Sequence, residues 1–201
     1  MKNHDKQFLN KDGIKYLCGI DEAGRGPLAG PVVAAAVILP NDVVLNGIND
    51  SKKLTKRKRE QLYDLIYQNA LSIGVGIIDN DIIDTINILE ATKLAMKTAL
   101  DNLDIKPDLV LTDYVAIETN LPQINIIKGD QKSQVIAAAS IISKVTRDLL
   151  MFKYSVEYPM YGFDKNKGYP TKSHVESIKK YGITKIHRKS FKPIKEINDL
   201  K

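Results

Sequence analysis

The chain has 201 residues, of which 43% are hydrophobic and 27% are charged, a length and balance typical of one globular domain. Cys18 is the only cysteine, which excludes an intrachain disulfide and favours a reducing, cytoplasmic location. The longest apolar run, residues 32–39, is far shorter than the roughly 20 residues of a membrane-spanning helix, so we expect no membrane partner.

The charge is unevenly distributed along the chain. There are 30 Lys and Arg against 24 Asp and Glu, a net charge of +6. Residues 151–201 hold 12 basic and 5 acidic residues (net +7), whereas residues 1–150 hold 18 and 19 (net −1). A basic final quarter favours a polyanionic partner such as nucleic acid, although a solubilising tail explains it equally well.

Apolar periodicity, turn residues and capping residues predict nine elements. In chain order they are strands at 14–20 and 32–39, a helix at 56–69, a strand at 71–78, a helix at 85–103, strands at 109–112 and 124–127, and helices at 132–152 and 174–181. Thr55 is the expected N-cap of the first helix, and Gly182 ends the last one. Gly74 and Gly76 weaken the third strand.

This order predicts an α/β fold, in which a mixed sheet starts with a hairpin, continues through crossovers and is flanked by helices. We expect a single domain over residues 1–201. Residues 155–201 are aromatic, basic and rich in loops, and we expect them to form a C-terminal appendage.

Four acidic residues stand where predicted strands end. Asp21 and Glu22 follow an apolar strand and precede a turn rich in glycine and proline at 24–31, Asp113 ends the strand at 109–112, and Asp130 precedes the long helix. Ligands of open α/β sheets bind at such strand ends. Carboxylates without a Cys/His cluster favour Mg²⁺ or Mn²⁺ over zinc. A pair of such ions could hydrolyse a phosphodiester.

Structural explanations compete with a metal site. Taken alone, Asp130 is better interpreted as the N-cap of the following helix, and Asp113 as an ordinary polar residue at a strand end. Asp21 and Glu22 are harder to explain without a cation, because adjacent acids repel each other. The glycines that follow suggest a phosphate-binding loop, but DEAGRGPLAG matches neither common nucleotide-binding pattern.

Six segments together resemble bacterial ribonuclease HII: CGIDEAGRGPLAGPVVAAAVIL, DSKKL, LTDY, KGDQKSQVIAAASIISKVTRD, NKGYPTKSH and IHRKSF. They run in the family's order over most of the chain. The resemblance implies a ribonuclease H-like fold with a C-terminal helical segment that helps to grip the duplex. It also implies a metal-dependent endonuclease that cuts the RNA strand of RNA/DNA hybrids and cuts 5′ to single ribonucleotides in duplex DNA, leaving 3′-hydroxyl and 5′-phosphate ends.

The resemblance assigns roles to individual residues. Asp21, Glu22, Asp113 and Asp130 match the catalytic acids and would hold two Mg²⁺ or Mn²⁺ ions when substrate is bound. Gly24, Arg25 and Gly26 match a loop that reads the ribose 2′-hydroxyl, with Arg25 on a phosphate. Tyr169 matches a tyrosine that stacks on the next sugar, and without the family it would be interpreted as a turn residue. Further predicted phosphate contacts, most of which could equally be surface charge, are Lys52, Lys53, Lys132, Lys144, Arg147, Lys167, His174, His187, Arg188 and Lys189.

A second hypothesis from another class is a non-catalytic nucleic-acid-binding protein, based on the basic, tyrosine-rich tail. Such a protein explains the tail but not the four acids, which would repel phosphate without cations. In either case the expected partner is nucleic acid. We predict a monomer with no obligatory protein partner.

Overall fold

A computed structural model describes residues 1–9, 11, 13–48, 51 and 54–198 of the chain. The strands are β1 (Leu17–Ala23), β2 (Val32–Ile38), β3 (Ser72–Ile78), β4 (Leu109–Asp113) and β5 (Gln123–Ile126). The helices are α1 (Lys2–Leu9), α2 (Lys56–Asn69), α3 (Asn80–Asp101), α4 (Gly129–Lys132), α5 (Gln134–Glu157), α6 (Phe163–Asn166), α7 (Lys172–Tyr181) and α8 (Ile194–Asn198), and a 3₁₀ turn covers Pro159–Tyr161. Within these residues, no helix is both long and apolar enough to cross a bilayer.

The five strands form one mixed sheet in the order β3-β2-β1-β4-β5. β1, β2 and β3 are connected as antiparallel neighbours, whereas β4 runs parallel to β1 and β5 parallel to β4. The predicted mixed sheet with a hairpin start and later crossovers is therefore confirmed.

Alternating side chains of the central strands enter two separate cores, because successive residues of a strand point to opposite faces. On one face Leu17, Ala35 and Leu111 pack with α1, α2 and α5. On the other face Cys18 and Ile20 pack with α3. Gly74 and Gly76, which weakened the prediction of β3, allow α3 to lie against the sheet, since a Cβ at either position would collide with a backbone carbonyl of α3.

A third apolar cluster joins the C-terminal segment to the rest of the molecule. It contains Leu28 and Ala29 from the loop after β1, Met151 from α5, and Phe163 and Ile178 from α6 and α7. Residues 155–201 were predicted to be rich in loops, but within the described part they form three short helices and a 3₁₀ turn. Their apolar side chains are covered by the loop that follows β1.

Of the four predicted helices, two agree with the structure to within two residues and two do not. Thr55 caps α2 through its hydroxyl, which accepts from the Lys58 amide, and α7 ends at Gly182 as expected. α3 starts at Asn80 rather than at residue 85 and is kinked at Asn87, whose φ is +68°. The predicted helix at 132–152 is two helices, because the chain turns at Ser133 between α4 and α5.

Candidate active site

Asp21 and Glu22 lie inside β1, which corrects the prediction that they follow the strand. β1 pairs with β2 as far as Ala23, but its pairing with β4 ends at Ile20↔Thr112. Asp21 and Asp113 are therefore the next residues on two neighbouring parallel strands. The acids meet where the parallel ladder ends and not where β1 itself ends.

Asp130 approaches this point through a turn that Asp113 stabilises. An Asp113 carboxylate oxygen accepts a hydrogen bond from the Gly129 amide at 2.8 Å, so the start of α4 is tied to the end of β4. Asp130 lies next in the chain and is buried. It does not cap the long helix, because the Ser133 hydroxyl accepts from the Ile136 amide and is the N-cap of α5. The structural interpretation of Asp130 as that cap is therefore wrong.

The N-terminal end of α5 lies directly against β1. A Cβ at Gly19 would collide with the backbone of Val135 and Ile136, so glycine is needed there for the helix to approach. This contact places Ser140, one and a half turns along α5, beside Asp21, where its hydroxyl hydrogen-bonds to the carboxyl. Ser140 also lies 2.9 Å from the hydroxyl of Ser51. Sequence reasoning missed Ser140, since nothing in an apolar helix stripe marks one serine as facing an acid.

The surroundings of Asp21 and Glu22 disfavour the ionised form of both carboxyl groups. Burial raises the pKa of Asp21 well above its usual range, and the negative charges of Glu22 and Asp113 raise it further. Burial also raises the pKa of Glu22, which the Arg25 guanidinium lowers and the Asp113 charge raises. Ionised carboxylates in this arrangement repel each other in a partly desolvated space, and a cation would relieve that repulsion.

The donor set fits a hard divalent ion that shares its coordination with substrate. Within the described residues, no three Asp, Glu, His or Cys side chains are close enough together to hold an ion by themselves. Mg²⁺ typically takes only one or two carboxylates and completes its shell with water and substrate phosphate. Asp21, Glu22, Asp113 and Asp130 carry carboxylate oxygens of the type that such an ion takes as ligands.

Beside the acids lies the glycine loop, residues 24–31, with Arg25 and Gly26 exposed at its tip. The Arg25 guanidinium lies 3.4 Å from a Glu22 carboxylate oxygen. The Tyr169 side chain is 40% exposed and faces Gly26, where an added Cβ would lie 3.6 Å from the tyrosine ring. The predicted 2′-hydroxyl loop and the predicted stacking tyrosine therefore form one exposed surface.

Glycine is favoured at positions 24 and 26 of this loop for different reasons. Gly24 has a φ of +102°, and a Cβ there would collide with the Arg147 side chain, so the fold itself requires glycine. At Gly26 the φ is ordinary, and a Cβ would make only a normal contact with Tyr169. The expected need for close substrate approach can therefore explain Gly26 and is not needed to explain Gly24.

Arg188 does not lie where a phosphate contact requires it. Its side chain is completely buried and donates to the carbonyls of Gly24, Arg25 and Gly30, which contradicts its predicted exposure to substrate. Lys144 is partly buried, and its ammonium lies 2.6 Å from the Asp148 carboxylate. Burial lowers the pKa of Lys144. The phosphate contacts of Lys132, Lys144, Lys167 and Lys189 stay predictions, and Lys52 and Lys53 lie outside the described residues.

His174 and His187 were predicted as phosphate contacts, but both are completely buried and form a pair inside the protein. His174 and His187 lie with their Nε2 atoms 3.1 Å apart, behind the backbone of Tyr169. The Thr184 amide donates to His187 Nδ1, so in the neutral ring the proton is on Nε2 and is donated to His174. His174 then carries its own proton on Nδ1 and donates it to the Tyr169 carbonyl at 2.9 Å. Each of the four ring nitrogens thus has a partner.

Comparisons with known proteins agree with this geometry. The family described as Ribonuclease HII matches residues 18–194. The ribonuclease HII of Ligilactobacillus salivarius is 55% identical over 185 residues, which are 92% of this chain and 72% of that protein. The crystal structure of ribonuclease H2 from Pyrococcus horikoshii OT3 has a TM-score of 0.79 at 28% identity and covers 92% of this chain and 98% of that one.

A more distant structure shares the fold alone. It is a ribonuclease HIII solved in complex with Mn²⁺, with a TM-score of 0.69 at 17% identity over 95% of this chain and 71% of that one. The family match covers far more than half of the chain and includes all four acids, the glycine loop and Tyr169. The chain belongs to the ribonuclease HII family, whose members are endonucleases that cleave RNA in RNA/DNA hybrids.

Proposed function

We propose that this endonuclease requires Mg²⁺ or Mn²⁺ and that, besides long RNA/DNA hybrids, it cuts 5′ to a single ribonucleotide in duplex DNA. The products would carry 3′-hydroxyl and 5′-phosphate ends. The observation that carries this proposal is the position of the Tyr169 ring next to Gly26 at an exposed surface beside the acids. Membership of an endonuclease family removes the alternative of a purely binding protein.

The four acids, Asp21, Glu22, Asp113 and Asp130, are the proposed ligands and catalytic residues. Two bound ions would supply an activated water and would stabilise the leaving oxygen. The chain itself contributes a desolvated carboxylate at Asp21, whose orientation is fixed by the Ser140 hydroxyl and the Glu22 amide. The hydrogen bond from Gly129 fixes Asp113 in the same way.

Recognition of a single ribose fits the exposed surface of the glycine loop. Gly26 has space for a sugar because no side chain projects there, and backbone groups can then reach a 2′-hydroxyl. The ring of Tyr169 presents a flat face beside that space on which the next sugar can stack. Arg25 is exposed next to the acids and can bind the adjoining phosphate, although this requires it to leave Glu22. Lys52 and Lys144 are proposed as further phosphate contacts.

The decisive experiment is cleavage of a DNA duplex that carries one ribonucleotide, with Mg²⁺ or with EDTA, beside an all-DNA duplex and a long hybrid. We expect a single cut, 5′ to the ribonucleotide, only with metal. Asp21→Asn should abolish cleavage, whereas Asp101→Asn, the same change at an exposed position of α3, should leave it intact. Cleavage of the hybrid alone would refute the proposed reading of a single ribose.

Full activity of Asp21→Asn would refute the assignment of the acids instead. Tyr169→Ala and Arg25→Ala test the recognition roles, and both should lose more activity on the single ribonucleotide than on the hybrid. Equal losses on the two substrates would mean that these side chains serve only the fold.

A further inference from the structure

Two arginines lie beneath the glycine loop with their charges turned inward. Arg147 on α5 is 1% exposed and Arg188 is 0% exposed, which contradicts the predicted phosphate contacts of both. They are the two largest fully buried side chains in the described part of the protein. Within that part, neither guanidinium forms an ion pair within 4.0 Å, although the charges of Asp148 and Asp84 favour the ionised forms of Arg147 and Arg188. Buried charges are costly unless they are compensated, so their partners need an explanation.

Arg147 connects the glycine loop to a second segment, the tyrosine turn (residues 167–169). Its Nε donates to the Pro31 carbonyl at 2.9 Å and one terminal nitrogen donates to the Ala29 carbonyl at 3.1 Å. The other terminal nitrogen donates to the Lys167 carbonyl at 3.0 Å. One guanidinium thus binds both segments that form the exposed surface.

Arg188 holds the tip of the glycine loop. Its Nε and one terminal nitrogen donate to the Gly30 carbonyl at 3.0 and 2.9 Å, and the same terminal nitrogen donates to the Gly24 carbonyl at 2.6 Å. The other terminal nitrogen donates to the Arg25 carbonyl at 2.9 Å. The two ends of the loop and its tip are therefore fixed to one planar group.

Backbone hydrogen bonds close the assembly. The Leu28 amide donates to the Gly168 carbonyl at 2.7 Å, and the Arg188 amide donates to the Leu28 carbonyl at 2.8 Å. Apolar contacts of Leu28 and Phe163 would hold these segments together without any buried charge. The guanidinium groups add hydrogen bonds to six backbone carbonyls, and these bonds fix the conformation of the loop.

We propose that Arg147 and Arg188 are positioning residues for recognition of the ribonucleotide. They hold the glycine loop and the tyrosine turn as one rigid surface, so that Gly26 and Tyr169 keep the separation that a ribose requires. This inference rests on the proposed function of that surface. A lysine cannot replace either arginine, because its single ammonium cannot span carbonyls that a planar fork reaches at once.

Arg147→Lys and Arg188→Lys test the proposal, with Arg57→Lys on the exposed face of α2 as the matched control. The first measurement is amide hydrogen exchange of the full chain without nucleic acid. Arg147→Lys should accelerate exchange in both the glycine loop and the tyrosine turn while β2 keeps its protection. Unchanged exchange in either segment, or equal acceleration in β2, would overturn the proposal.

The second measurement is kcat and KM on the duplex with one ribonucleotide and on the long hybrid. Both variants should lose about 10- to 100-fold in kcat/KM on the single ribonucleotide, the scale of a displacement of about 1 Å, and clearly less on the hybrid. Equal losses on the two substrates, or failure of both variants to fold, would assign the arginines to the fold alone. Failure of the proposed function is distinguishable, because the wild-type protein would then leave the single ribonucleotide uncut.

Discussion

The histidine pair behind Tyr169 predicts a loss of stability in mild acid. Burial, together with the neighbouring His174, lowers the pKa of the His187 imidazole from 6.5 to about 4. Between these pH values the His187 imidazole binds a proton in the unfolded chain but stays neutral in the folded protein. The stabilisation by the neutral ring is therefore complete above pH 6.5 and is lost as the pH falls toward 4. The two values differ by about 2.5 pH units, which at about 1.36 kcal/mol per unit gives an upper limit of about 3 kcal/mol.

The hydrogen bonds of the histidine pair explain why protonation of either ring is unfavourable in the folded protein. A proton on His187 Nδ1 would face the Thr184 amide, which already donates to that atom at 2.8 Å. A proton on His174 Nε2 would face the Nε2–H of His187 across 3.1 Å. Either event breaks the chain of donors that ends at the Tyr169 carbonyl, so the tyrosine turn should loosen as the protein is destabilised.

Urea unfolding at pH 7, 6, 5 and 4 measures this effect, with His187→Gln as the comparison. Glutamine keeps a donor toward His174 but does not titrate. Buried acids with raised pKa values, such as Asp5 and Asp21, act in the opposite direction on acidification, so the quantity to compare is the difference between the two proteins. The wild type should lose up to about 3 kcal/mol more than His187→Gln between pH 7 and 4. Parallel curves for the two proteins would refute the reasoning.

Four further substitutions separate the roles of individual residues. Gly24→Ala should lower the free energy of unfolding by at least about 1 kcal/mol, because the φ of Gly24 is positive and the Arg147 side chain fills the space that a Cβ would need. Gly26→Ala should unfold in urea like the wild type but should cleave the duplex with one ribonucleotide poorly. In thermal melts with EDTA, Asp21→Asn should have a higher Tm than the wild type, by about 2–4 °C for each kcal/mol of relieved repulsion. The difference in Tm between the two proteins should shrink when Mg²⁺ is added to both. Ser133→Ala should lower the free energy of unfolding by about 1 kcal/mol in urea, since it removes the N-cap of α5.

The sequence predicted the sheet well because each strand carries a local signal. β2 lies between prolines and is apolar throughout, and α2 has both its cap and its stripe within 15 residues. The acids were found for a similar reason, since charged residues that interrupt apolar strands are visible in the sequence. Their common position at the end of the β1–β4 ladder depends on pairing over about 90 residues, and no local pattern reports it.

The basic residues were interpreted less well because charge was taken as a sign of exposure. Arg147 follows an apolar stripe, and its carbonyl partners at Pro31 and Ala29 lie 116 and 118 residues away in the chain. Arg188 lies 158 residues from Gly30. The basic segment IHRKSF therefore contains one residue, Arg188, that supports the site from inside the protein. Only the three-dimensional structure distinguishes it from the exposed basic residues.

Two groups of charged side chains lie around the glycine loop, the acids and the two buried arginines. Their surroundings differ, and for this reason we assign binding to the acids and positioning to the arginines. Asp21 has acidic neighbours of the same charge, Glu22 and Asp113, and under the proposed function a cation would offset their repulsion. The guanidinium groups are already satisfied by carbonyls of the protein, so they need no ligand and fix geometry instead. Gly24 lies between the two groups, and its missing side chain is what lets Arg147 approach the loop that leads from Asp21 and Glu22. A larger residue at position 24 should therefore disturb recognition of the ribonucleotide before it disturbs metal binding.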